Sequence, residues 1–211
     1  MKKFGLIIIN SFCYSDIFKN QTKRLCDEFQ KLGIHTDVRR NCNVDVYLDN
    51  FEIINNIKDY DFVVYLDKDK YVARMINKSN QFIFNRPNAL ELCDDKLQTY
   101  IALTQNNIKM PKTIASPLKF YKTDIDDGSF IKKVSSILSF PIIVKGAFGS
   151  LGNKVYLAHN FEQLQSLREK MIDIPHLYQE FIAESAGTDT RVIVIGNVVR
   201  AAMTRKSESD F

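Results

Sequence analysis

PIIVKGAFGSLGNKV, residues Pro141 to Val155, is the stretch on which the reading of this sequence turns. Two β-prone runs, Ile142–Val144 and Val155–Leu157, bracket glycines at positions 146, 149 and 152, and Lys145 stands just before the first of them. A P-loop would end in Gly-Lys-Ser or Gly-Lys-Thr at the mouth of a helix, and Gly149-Ser150-Leu151-Gly152 has no such ending. A dinucleotide fingerprint is also excluded, because the glycine spacing is wrong and a strand follows where a helix is needed. What remains is a glycine-rich loop joining two antiparallel strands. Such a backbone can curl over an anion and aim several N–H groups at it, since glycine takes the dihedrals this needs. Lys145, ending the incoming strand, would add a point charge. A hairpin that merely avoids strain is the plain alternative, and the loop alone does not separate the two.

Outward from the loop, the N-terminal half alternates strand and helix signals. FGLIII (Phe4–Ile9) is a continuous apolar run of buried parallel-strand type. Ser15 can cap a helix reaching Leu32, with Phe18, Leu25, Phe29 and Leu32 on one face and Gly33 beyond its end. IHTDV, DFVVYL and QFIF read as further strands, with a helix near Lys70–Asn77. This alternation points to an α/β fold with a doubly wound parallel sheet. After Asn85 the texture changes. A helix is expected from about Asp94 to Asn106, an extended run at IKMPKTI, and helices over Phe130–Leu138 and Phe161–Met171 on either side of the glycine hairpin. HLYQEFI and a pair turning at Gly196-Asn197 close the chain as strands.

The composition is that of an ordinary soluble globular chain: 211 residues, 45% hydrophobic, 26% charged, net charge +4. That charge is too weak and too evenly spread to argue for nucleic acid. The opening MKKFGLIIINSFC imitates a secretion signal, but its apolar run is too short and its cleavage site poor. No segment has the length of a membrane span, so no membrane partner is expected. The four cysteines and three histidines show no metal-ligand spacing. Reduced thiols in a cytoplasmic protein, without a metal site among these residues, are therefore expected.

FNRPNALELCDDKLQTYIALTQNNIKMPKTI (Phe84–Ile114), the glycine hairpin, and YQEFIAESAGTDTRVIVIGNVVRAAMTRKSESDF (Tyr178–Phe211) together resemble the ATP-grasp superfamily. Within it they are most similar to the RimK-like glutamate ligases that modify ribosomal protein S6. The matching pieces are Asn85-x-x-x-Ala89, Asp95-Lys96, Pro111-x-Thr113, Lys145 before the loop, Gln179-Glu180-Phe181-Ile182, Gly187-x-Asp189-x-Arg191 and Ala202-Met203-x-Arg205. The resemblance implies an N-terminal α/β domain (1–93), a linker helix opening the ATP-grasp region (94–116), an α+β lid with the glycine loop (117–182), and the start of a C-terminal subdomain (183–211). It implies ATP as nucleotide, with Lys96 and Lys145 on its phosphates and Gly146, Gly149, Ser150 and Gly152 covering the outer oxygens. Glu180, Phe181 and Ile182 would frame the adenine, Glu184 or Asp189 would take the ribose hydroxyls, and Arg191 and Arg205 would steady a transferred phosphate. The activity implied is carboxylate–amine ligation through an acyl-phosphate, joining glutamate or another amino acid to a peptide, protein or small acid. Homo-oligomerisation stays open.

One departure matters. The family continues beyond the segment begun by RKSESDF into acidic and Glu-x-Asn positions that hold Mg2+, and this sequence stops at Phe211. The expectation is a truncated, inactive fragment with its Mg2+ ligands beyond residue 211. A non-catalytic ATP-binding module acting in regulation or partner binding is the alternative.

Overall fold

The computed structural model describes residues 3–121, 125–150 and 152–207. Leu151 of the glycine loop, Lys122–Asp124 and the tail after Ser207 lie outside the described residues. The chain forms two compact units, Met1–Asp94 and Asp95–Phe211.

The first unit runs β1 (Phe4–Ile9), α1 (Asp16–Lys31), β2 (His35–Arg40), β3 (Val46–Asp49), β4 (Glu52–Asn55), β5 (Phe62–Leu66), α2 (Lys70–Lys78), β6 (Ile83–Phe84) and α3 (Pro87–Asp94). Four strands form one sheet in the order β2-β1-β5-β6, all pairs parallel. The chain winds from β1 to β2 on one side, then returns across β1 to β5 and β6, which is the doubly wound pattern. The middle four residues of β1 are buried, as an apolar run covered on both faces must be. Leu6, Ile8, Val63, Tyr65, Ala73 and Ile76 make the core.

Three details differ from the sequence reading. Ser15 precedes α1 in an extended conformation, but its hydroxyl makes no capping bond. Of the expected apolar face, Phe18 is 40% and Leu32 73% exposed, because α1 covers the edge of the sheet and Leu32 lies past its last turn. The short hairpin β3–β4 has no counterpart in that reading.

The second unit runs α4 (Lys96–Leu103), β7 (Thr113–Ala115), α5 (Ser129–Ile137), β8 (Ile142–Gly146), β9 (Val155–Ala158), α6 (Phe161–Met171), β10 (His176–Glu180), β11 (Thr188–Ile195) and β12 (Val198–Lys206). The sheet β7-β10-β8-β9 is antiparallel throughout. Helices α5 and α6 supply Ile131, Val134, Leu164 and Met171 to a core shared with Ile142, Val144 and Tyr178 of the sheet. Because side chains alternate along a strand, Lys145 and its cross-strand neighbour Leu177 lie on the opposite face.

Of the helix expected over 94–106 the structure keeps α4, Lys96–Leu103, and a separate helix, α3, precedes it, which the sequence reading did not give. Asp95 is the N-cap between them, extended, its carboxylate accepting from Leu97 N (2.9 Å) and Gln98 N (3.3 Å). A cap of this kind ends one helix path and starts another. The closing hairpin turns at Gly196 and Asn197, both at positive φ (58° and 63°), as the two-residue turn that matches strand twist requires. Every residue of β11 and β12 is exposed. Among the described residues no helix is long and apolar enough to cross a membrane.

Candidate functional site

The glycine loop is anchored where β8 ends. Ala147 donates its N–H to Pro175 O (2.8 Å), and its carbonyl accepts from Lys96 N (2.9 Å). The Lys96 ammonium lies 3.5 Å from the same carbonyl and donates to Gly149 O at 2.9 Å. The first residue of α4 is thus stitched to the loop by both its main chain and its side chain. Within the loop, Gly146 N bonds to Lys154 O, Asn153 N to Ser150 O and Val155 N to Gly152 O. Gly149 sits at φ 125°, a conformation essentially reserved for glycine. Phe148, Gly149 and Ser150 are exposed, and their N–H groups donate to no protein acceptor among the described residues. Three successive donors of this sort form a concavity suited to an anion.

Lys145 points from the same strand end. It is half-buried, and among the described residues its ammonium has neither hydrogen bond nor ion pair. Burial pulls its pKa below the ordinary lysine value, and the positive charge of Lys96 pulls it further. The two ammonium groups therefore repel each other, and Lys145 meets no carboxylate among the described residues. A chain selected for stability alone has no reason to keep this arrangement, because burying an unpaired charge is costly.

Beyond Lys145, the segment Glu180–Ile182 leaves the sheet. Glu180 donates its N–H to Lys112 O and accepts Lys112 N on its carboxylate, both at 3.0 Å, so that side chain closes the start of β7. Gln179, buried beside it, donates to Thr113 Oγ1 (2.7 Å) and accepts from the Tyr100 hydroxyl (3.4 Å). Phe181 is half-buried and Ile182 partly exposed, and Glu184 sits exposed in the 3-10 turn Ala183–Ser185.

The remaining candidates share one face of the β11–β12 hairpin. Asp189 lies opposite Arg205 and Arg191 opposite Met203. The Arg205 guanidinium grips both carboxylate oxygens of Asp189. That bond holds the Asp189 carboxyl below its usual range, with a further pull from Arg191, and raises Arg205. All of this is in solvent, where such a pair contributes little. Asp189→Asn is therefore expected to leave the thermal midpoint unchanged within error, and a clear drop on calorimetry would show the pair to be structural.

The structure thus gathers Lys96, Lys145 and the loop glycines into one cluster, and Asp189, Arg191 and Arg205 into another. Sequence reasoning missed Ala147, whose carbonyl ties Lys96 to the loop. No local pattern marks it, since the partners are far apart in sequence.

Human N-acetylaspartylglutamate synthase A is 31% identical over 142 residues, covering 67% of this chain and 35% of that protein. A probable alpha-L-glutamate ligase of Mannheimia succiniciproducens is 37% identical over 126 residues, 59% of this chain and 39% of its own. The chain thus spans between about a third and two fifths of these curated relatives' length. A solved RimK domain ATP-grasp protein of Sphaerobacter thermophilus superposes with a TM-score of 0.71 at 16% identity, over 97% of this chain and 73% of that one. At that identity the likeness speaks for the fold. The RimK-like ATP-grasp domain family matches residues 93–211, more than half of the sequence, and the chain belongs to that family.

Proposed function

We propose that the second unit binds the triphosphate of ATP between the glycine loop and Lys145, as part of an ATP-dependent carboxylate–amine ligase. One observation carries this reading: the unpaired, half-buried Lys145 ammonium facing Lys96 beneath three N–H groups that lack protein acceptors. An anion with several negative oxygens would satisfy every one of these donors and offset the repulsion.

In the proposed roles, Lys145 and Lys96 hold the phosphates, and Gly146, Gly149, Ser150 and Gly152 fold over them. The main chain of Glu180–Ile182 faces adenine, a role consistent with the Glu180 carboxylate being engaged by Lys112 N. Glu184 or Asp189 takes the ribose, and Arg191 and Arg205 steady the phosphoryl group as an acyl-phosphate forms on the acceptor carboxylate. For Arg205 this requires sharing its guanidinium with, or releasing it from, Asp189. The protein's contribution is placement and charge neutralisation. The names of the relatives, an alpha-L-glutamate ligase and an N-acetylaspartylglutamate synthase, favour glutamate as the amine and a small acid or peptide as acceptor. Among the described residues no three His, Cys, Asp or Glu side chains come together as a divalent cation needs.

Thermal unfolding with ATP or GTP tests the nucleotide assignment. ATP at about a hundredfold excess over its Kd should stabilise by ~2.7 kcal/mol, a rise of about 5 to 10 °C, and GTP should give much less. No shift with either nucleotide would remove the proposal. Binding without amide-bond formation, with glutamate and candidate acids supplied, would leave a nucleotide-binding module in place of a ligase.

A further inference from the structure

The face of the sheet away from Lys145 holds a polar cluster with no part in the roles above. His176, 1% exposed, begins β10. Its Nδ1 lies 2.8 Å from Ile174 O and its Nε2 3.0 Å from the Tyr178 hydroxyl. In the neutral ring Nδ1–H donates to the carbonyl, which can only accept, and unprotonated Nε2 accepts from the tyrosine. Arg168 of α6, also buried, donates from Nε to Asp126 Oδ2 (2.9 Å) and from a terminal nitrogen to Ser116 Oγ (2.6 Å), and lies over the Phe130 ring. The charged and titratable groups facing His176 are therefore Arg168 on α6, Asp126 ahead of α5 and Tyr178 on its own strand.

His176 is also the last rung of the ladder that carries the glycine loop. It pairs with Gly146, its carbonyl accepts Ser116 N (3.0 Å), and the preceding Pro175 carbonyl accepts the Ala147 N–H that anchors the loop.

We infer that His176 is a positioning residue for the glycine loop: unprotonated, it fixes the Ile174–Tyr178 segment on which Ala147 rests, and its protonation frees the loop base. The role of the loop rests on the nucleotide reading above, but the hold of His176 on it does not. A proton on Nε2 would make the Tyr178 hydroxyl turn its own proton away to accept. It would also place a buried second positive charge beside Arg168, whose one ion-pair partner among the described residues is Asp126. Burial and Arg168 accordingly hold His176 below the usual histidine range, against the pull of the Ile174 carbonyl.

The sign follows from that lowering. When the rung is open, His176 regains its ordinary value near 6.5 and takes up a proton more readily, so opening is favoured as pH falls through that value and below. By pH 5.5 the opening constant should rise, by at most about tenfold.

Amide hydrogen exchange by NMR on the nucleotide-free chain, corrected for intrinsic rates, tests this between pH 5.5 and 7.5. The Ala147 and Gly146 amides should lose protection at the acid end, by up to about tenfold, while amides of β8 and β10 distant from the rung keep theirs. His176→Asn retains a donor for Ile174 O and cannot be protonated, so its Ala147 amide should show no acid limb. Should that variant fail to fold, Tyr178→Phe removes the bond that the unprotonated Nε2 accepts, which brings the folded and open values of His176 closer, and the limb should shrink. A flat wild-type profile, the same limb in His176→Asn or Tyr178→Phe, or uniform loss across the whole sheet would overturn the inference. An acid limb at Ala147 in a chain that never binds ATP would instead defeat the nucleotide reading and leave this one standing.

Discussion

Lys145→Met should weaken ATP binding by about ten- to a hundredfold while raising the unfolding midpoint of the nucleotide-free chain. The two effects have one cause. In the free protein the Lys145 ammonium is half-buried, faces Lys96 and meets no carboxylate among the described residues, so replacing it by an apolar side chain of similar length removes a desolvation cost. With nucleotide present the same ammonium would be the charge-assisted donor to a phosphate oxygen. A side chain kept at some expense to stability is the mark of a binding group. The pH dependence follows with a definite sign. Because the folded value of Lys145 is lowered, the unfolded chain binds the extra proton in the window between that value and 10.5, and stability of the free protein rises as pH climbs through it. Nucleotide affinity goes the other way, since the bound anion favours the charged lysine. Binding should be accompanied by proton uptake in that window, read as a buffer-dependent enthalpy in titration calorimetry and absent in Lys145→Met. Equal ATP affinity in the two proteins would put the phosphate elsewhere.

How far the sequence reveals this depends on how local each signal is. The hairpin could be read from PIIVKGAFGSLGNKV because β-prone runs on both sides of closely spaced glycines leave little other choice, and β8 and β9 pair there. FGLIII could be read as a buried strand because only a sheet covered on both faces hides so continuous an apolar run. The start of α4 was marked by the Asp95-Lys96 pair, although α3 before it was not read. What could not be read is what depends on distant partners. The Lys96 bonds to Ala147 and Gly149 and the Glu180 bond to Lys112 join strands and helices far apart in the chain. A lysine opening a helix and a glutamate ending a strand look alike whether solvated or engaged. The β3–β4 strands, four residues each, are too short for alternation to stand out. Arg168 is the sharpest case. In the last turn of an amphipathic helix an arginine ordinarily reads as a solvated residue that favours the dipole, yet here its side chain is only 9% exposed.

That burial makes Arg168→Met the substitution expected to cost the second unit most stability, about 3 kcal/mol in urea denaturation at neutral pH. The loss comes from what is left behind. Asp126 keeps its carboxylate with 28% of its side chain exposed, Ser116 Oγ loses a donor at 2.6 Å, and the Phe130 ring loses the guanidinium over its face. Water reaching Asp126 keeps the figure at the lower end of the range for a broken buried pair. Asp126→Asn, which strands the less exposed arginine charge, should cost a similar amount. The double variant Arg168→Met/Asp126→Asn leaves no uncompensated charge, so it should be clearly more stable than the sum of the two losses predicts, and the difference measures the coupling. Additive losses would mean that the pair contributes through packing against Phe130 alone. Arg168→Met also removes a positive charge that lowers His176, so the acid limb of Ala147 exchange should shrink in this variant. The cation that holds α6 to the sheet would then also set how strongly acid opens the rung beneath the glycine loop.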